Sequence, residues 1–203
     1  VQWYAGEQQG RTLADILLGK VNPSGKLNVS FPRSTGNTPC FYNHFVTDRE
    51  EPFDQPGTPE EPKGHYIFDK PEPLWNFGHG KSYTTFDYVD CALSDTLLAA
   101  SDTLKVSVMI KNTGRCDGKE VVQLYVRDKV STVATPIQQL KAFQKVLVKS
   151  GESQCVELSL PIAELALYNA KMEEVVEPGD FEIQIGAASD DIRFKKTITI
   201  NRK

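Results

Sequence analysis

From Phe86 onward, apolar residues fall on every second position in one short run after another. Leu104, Val106, Val108 and Ile110 alternate with Lys105, Ser107 and Lys111. Val122, Leu124 and Val126 repeat the pattern, as do Val156, Leu158 and Leu160, and Phe181, Ile183 and Ile185. A period of two puts such residues on one face only if the backbone is extended, so this part of the chain is committed to β-structure. The runs predict seven strands, near Phe86–Leu93, Thr103–Asn112, Glu120–Arg127, Gln139–Val148, Gln154–Leu160, Gly179–Gly186 and Arg193–Ile200. Asn112-Thr113-Gly114, Ser150-Gly151 and Pro178-Gly179 are turns by residue type. A short helix is expected over Ala163–Leu167, in the crossing between sheets.

Seven short strands with regular turn signals describe a two-sheet β-sandwich of immunoglobulin or fibronectin type. The roughly 115 residues from Phe86 are enough for an independent core. Within the first strand, Phe86 and Tyr88 are assigned to one face, and Val89, Cys91 and Leu93 to the other. Cys91 is read as a buried apolar filler and Cys155 as facing away from Val156, Leu158 and Leu160.

Ahead of the strands stands Pro73-Leu74-Trp75-Asn76-Phe77-Gly78-His79-Gly80-Lys81-Ser82-Tyr83-Thr84-Thr85-Phe86-Asp87-Tyr88. Five aromatics surround two glycines that bracket a single residue, a place where the backbone turns and a Cβ would clash. The segment reads either as an aromatic-rich first strand or as an anchored joint between two kinds of structure. In the second reading Trp75, Phe77, Tyr83 and Phe86 are expected to be buried. Earlier still, Glu7–Leu18 has the spacing of an amphipathic helix, with Leu13, Ala14, Ile16, Leu17 and Leu18 on one broad side and Gly19 as its stop. Asn22-Pro23-Ser24-Gly25 is a turn, and Leu27, Val29 and Phe31 alternate as a short strand closed by Pro32. One helix and one strand cannot bury that apolar side between themselves.

Between these parts the chain is irregular. Six of its twelve prolines lie between Pro52 and Pro73, and acidic residues gather at Asp48, Glu50, Glu51, Asp54, Glu60 and Glu61. Proline removes donors, so no central strand fits there, and the run reads as a solvated linker. Tyr42, Asn43 and His44, beside Phe41, are the candidate substrate-binding residues, a polar-aromatic group of the kind that borders a sugar.

Charge and cysteine usage narrow the function. A net charge of −4 argues against a nucleic-acid partner. No run has the length to span a bilayer, so no membrane insertion is expected. The four cysteines form no Cys-x-x-Cys pair and are read as free thiols. With only His44, His65 and His79 there is no ligand cluster, and no phosphate loop or nucleophile–base motif appears, so neither metal nor cofactor is expected. The chain begins at Val1 without a signal-peptide pattern, as expected of a piece of something longer.

Three blocks carry a resemblance. Pro73–Thr84 is similar to the Pro-Leu-Tyr-Pro-Phe-Gly-Tyr-Gly-Leu-Ser-Tyr-Thr segment near the C-terminal end of family 3 glycoside hydrolases, the β-glucosidase and β-xylosidase group. His79 and Lys81 stand where that pattern has an aromatic and a leucine. Trp3–Glu7, Ala14–Leu17 and Asn22–Leu27, ending Phe31-Pro32, resemble the last helix and turn of the family's second, α/β domain, with Ala5 in place of a usual proline. Val108–Tyr125 resembles its fibronectin type III-like domain. The resemblance implies a mainly β chain: an α/β remnant over 1–36, a proline-rich linker over 37–72 and the sandwich with its aromatic anchor over 73–203.

Glycoside hydrolysis needs two carboxylates across the scissile bond. Glu7, Asp15 and Glu120 come without a partner that the sequence certifies. The resemblance places the nucleophilic aspartate and the acid/base glutamate upstream of Val1, so no catalytic residue is assigned. Two functions remain open. In one, the chain is the C-terminal portion of a retaining β-glycosidase, with the sandwich as a support and the β-glycoside held by domains outside the chain. In the other, the sandwich is a carbohydrate- or partner-binding module. The resemblance favours a periplasmic or secreted location, and the orphan helix face is a candidate for self-association.

Overall fold

The computed structural model describes residues 1, 3–45, 58–60, 70 and 72–201. Asp48, Glu50, Glu51, Asp54, Glu61 and His65 lie outside the described residues, and Glu60 is exposed. The chain opens with helix α1 (Gln9–Leu17). The long strands are β1 (Phe86–Leu93), β3 (Thr103–Asn112), β4 (Gly118–Asp128), β5 (Gln139–Val148), β6 (Ser153–Pro161), β9 (Gly179–Ala188) and β10 (Asp191–Ile200). These are the seven expected strands, each within a few residues of its expected bounds. Three two-residue strands accompany them, β2 (Leu97–Leu98), β7 (Leu167–Tyr168) and β8 (Glu174–Val175). The expected helix after β6 is a single 3-10 turn, Ile162–Leu165.

One sheet has the order β1-β3-β6 and the other β2-β10-β9-β4-β5, while β7 and β8 form a small hairpin. Among the described residues the strand pairings are antiparallel except β2 with β10. The alternation of β3 puts Leu104, Val106, Val108 and Ile110 at 0% exposure, facing Val122, Leu124, Ile183, Ile185 and Ile198 across the sandwich. Side chains of this size contribute about 1.5–3 kcal/mol each when fully buried, and this layer holds the sheets together. All four cysteines are free thiols, with Cys91 buried and Cys155 exposed as expected.

The structure departs from the simple alternation in three places. In β1 the register shifts between Tyr88 and Asp90, a β-bulge that absorbs one residue. Val89 therefore turns outward, 57% exposed, and Cys91 enters the core on the face of Phe86 and Tyr88 rather than opposite it. Strand β4 is buried on both faces, with Val121, Gln123 and Tyr125 buried as well as Val122 and Leu124. Residues 27–31 are not a strand. They run beside 74–79, joined by Leu27 N to His79 O and Gly78 N to Leu27 O (each 2.8 Å) and by a single bridge between Phe31 and Trp75.

The expectation of four buried aromatics needs correction as well. Phe77 and Phe86 are half-buried, but Trp75 is 42% and Tyr83 52% exposed. The joint is held by main-chain and polar side-chain bonds, so its rings contribute edges and faces rather than complete burial. Helix α1 buries no residue, and Leu13, Leu17 and Leu18 stand exposed. Among the described residues no helix is long and apolar enough to cross a membrane.

Candidate functional site

The second buried face of β4 is where the N-terminal segments meet the sandwich. Gly78 turns there at φ 81°, and an added Cβ would overlap the Gln123 side chain and meet the Tyr125 hydroxyl and the Ala188 backbone. The absence of a side chain lets the backbone sit directly on the sheet. Tyr125 Oη donates to Gln123 Oε1 at 2.6 Å, and Gln123 Nε2 donates to Ala187 O at 2.6 Å. Ser189 N donates to Phe77 O at 2.9 Å, and Asn76 Nδ2 to Asp190 Oδ2 at 2.7 Å. Burial first, then the neighbouring Tyr42 and Asp190, pushes the Tyr125 phenol up, so it stays a donor.

Two further contacts tie down the turn that follows α1. Asn22 Oδ1 accepts from Ser82 Oγ (2.9 Å) and Tyr83 N (2.8 Å), while its Nδ2 donates to Asp117 O (2.9 Å). One side chain thus links the turn to the joint and to the β3–β4 connection. Tyr83 Oη donates to Ile16 O at 2.7 Å, fixing the end of the helix. Lys26 Nζ lies 2.9 Å from Glu120 Oε1, in ion-pair contact but off the direction of a hydrogen bond, with side chains 17% and 8% exposed. Burial and then the Glu120 carboxylate push the neighbouring Tyr88 phenol up. His79 is pulled down by partial burial and by Lys81 and Lys26, against Asp190 and Asp191.

Tyr42 joins the same assembly. Its ring stacks on Phe77 (centroids 4.1 Å apart, 16° between planes) and meets Tyr125 edge-on at 5.9 Å. Leu140 N donates to its hydroxyl at 3.2 Å. Asn43 is half-buried, and His44 is exposed, its carbonyl accepting from Ile137 N at 2.9 Å. Tyr42 therefore packs into the joint while His44 lies along the β4–β5 loop. Of the carboxylates singled out in the sequence, Glu120 faces Lys26, and Asp15 faces Lys20 (3.6 Å) and Arg11 (3.9 Å). Glu7 is exposed. Among the described residues no group of His, Cys, Asp and Glu could hold a metal ion.

Beyond the joint, a cleft of about 350 Å³ opens where the β4–β5 loop passes Leu165–Tyr168. Val126 and Phe181 line its depth, and Phe45 and Tyr168, both exposed, stand on its walls. Asp128, Thr135, Gln139 and Lys141 are among its polar lining residues. The sequence did not reveal it, because its walls come from segments far apart in the chain.

The fold and the joint define a class: a fibronectin-type sandwich bonded to the terminal segment of a preceding domain. Residues 1–83 match the glycosyl hydrolase family 3 C-terminal domain, and residues 120–189 match the fibronectin type III-like domain. The chain belongs to glycoside hydrolase family 3 and corresponds to its C-terminal part. It is 40% identical to a β-xylosidase of Formosa agariphila over 99% of its length and 26% of the relative's. It is 38% identical to a periplasmic β-glucosidase of Salmonella typhimurium, over 94% of its length and 25% of the relative's. A crystal structure of a β-glucosidase from Listeria innocua in complex with glucose superposes with a TM-score of 0.87 at 36% identity, covering 98% of this chain and 27% of that one. The chain thus spans about a quarter of the length of these relatives.

Proposed function

We propose that the chain is the C-terminal portion of a retaining β-glycosidase that hydrolyses O-glycosyl bonds with β-glucosidase-like preference. The sandwich supports the catalytic domains, and the rest of the protein holds the β-glycoside and supplies both carboxylates. The observation that carries this reading is the doubly buried strand β4. A free-standing sandwich leaves the outer face of a sheet in water. Here Val121, Gln123 and Tyr125 are instead buried, and Gly78 and Tyr42 of the family 3 segment lie directly on Gln123 and Tyr125. That design transmits the position of the preceding domain to a rigid block. The same reading gives the exposed α1 face a cover in the remainder of the protein, and self-association when the chain is made alone.

The test is nitrophenol release from aryl β-glucoside and aryl β-xyloside. A longer protein containing this chain and its upstream domains turns over one or both. The 203-residue chain releases none. Turnover by the chain alone that survives further purification overturns the reading.

A further inference from the structure

We infer that the cleft beside the β4–β5 loop is a non-catalytic binding site for a neutral sugar unit of a glycan. Its choice of sugar rests on the glycosidase role proposed above. The cleft holds about 350 Å³, within the range of sites that enclose small organic ligands. Its depth is apolar, formed by Val126 and Phe181, which the sandwich core fixes in place.

The walls combine two features. Phe45 and Tyr168 carry exposed rings, Tyr168 at 59% exposure, that offer flat apolar faces to the C–H face of a pyranose. Asp128 and Lys141 put a carboxylate and an ammonium on the same cleft. Lys141 Nζ spends one donor on Glu164 O at 2.7 Å, and Asp128 Oδ1 accepts from Val130 N at 3.2 Å. Ser131 also donates to the Asp128 carboxylate, and a carboxylate with about four acceptor sites and an ammonium with three donors each retain capacity beyond these bonds. Partial burial pushes the Asp128 carboxyl up and the Lys141 ammonium down, the mark of polar groups drawn out of bulk water.

A sugar matches this lining because its hydroxyls both donate and accept while its ring face is apolar. An anion would meet Asp128 and a cation would meet Lys141. A purely apolar ligand would leave both groups desolvated without partners, which costs affinity.

The test is a titration of the isotope-labelled 203-residue chain with cellobiose and with xylobiose, followed by amide chemical shifts, with glycerol as the control for a generic polyol. Saturable shifts confined to residues 126–141 and 165–168 are expected with at least one disaccharide. Tyr168→Ala, at an exposed position, should weaken binding about tenfold while leaving the rest of the spectrum unchanged, and Lys141→Met should weaken it likewise. Absence of saturable shifts with both sugars overturns the inference. So does an equal response to glycerol, or undiminished binding by the Tyr168→Ala chain. Turnover by the longer protein is a separate readout, so failure of the cleft leaves the glycosidase role standing, and the converse holds.

Discussion

Gly78 shows how one residue sets the geometry of the joint. Its φ of 81° and the missing Cβ are both required, since a methyl group there would overlap Gln123 and crowd Tyr125. Gly78→Ala should cost about 2–3 kcal/mol, read as a lowered urea midpoint, because strain and steric overlap add. His79, next to it, gives the joint a pH dependence. Its folded pKa lies below the ordinary 6.5, from partial burial and then Lys81. Protonation therefore favours the unfolded chain. The stability tied to neutral His79 is complete above pH 6.5 and is lost as the pH falls through the folded value. A His79→Asn chain should lose less stability between neutral and mildly acidic pH than the parent, measured as the difference between their urea midpoints. The glycine was legible in the sequence as a place where a Cβ does not fit. Asn22 was legible only as a turn residue, because its bonds to Ser82, Tyr83 and Asp117 run to residues far along the chain.

At the scale of elements, period two was enough to find all seven long strands, because each buries one face in a common core. It failed where something other than that core decides burial. The bulge in β1 changes the face that Val89 occupies, and nothing in Phe86–Leu93 marks the extra residue. The outer face of β4 carries Val121, Gln123 and Tyr125, which fit an exposed strand face as well as a covered one, and the cover comes from elsewhere in the chain. Residues 27–31 have the alternation of a strand but, among the described residues, find a single bridge, to Trp75. These assignments separate two aspartate substitutions. Leu124→Asp places an unpaired charge at a site of 0% exposure and should abolish cooperative folding, seen as loss of a sigmoidal denaturation curve. Val89→Asp, two residues before buried Cys91, should shift stability by no more than about 0.5 kcal/mol.

For the whole molecule, the bonds across the joint make the family 3 segment and the sandwich one mechanical unit. Legibility at this scale came from resemblance, since neither the helix nor the turn contains its own packing partner. Helix α1 is tied to the joint by the Tyr83 hydroxyl, while Leu17 remains 73% exposed. The sandwich, by contrast, is complete within the chain, with its core closed on both inner faces. The two tryptophans make the unity of these parts measurable. Trp3 and Trp75 both flank Phe31, at 6.1 and 5.7 Å between ring centroids, so indole fluorescence reports the N-terminal assembly. Far-ultraviolet circular dichroism is dominated by the strands of the sandwich. Urea unfolding of the 203-residue chain followed by both signals should give coincident transitions, and Gly78→Ala should move the two midpoints together. A fluorescence transition that is complete while the circular dichroism signal is still native would contradict the account, because the joint would then be a loose tether and not a support.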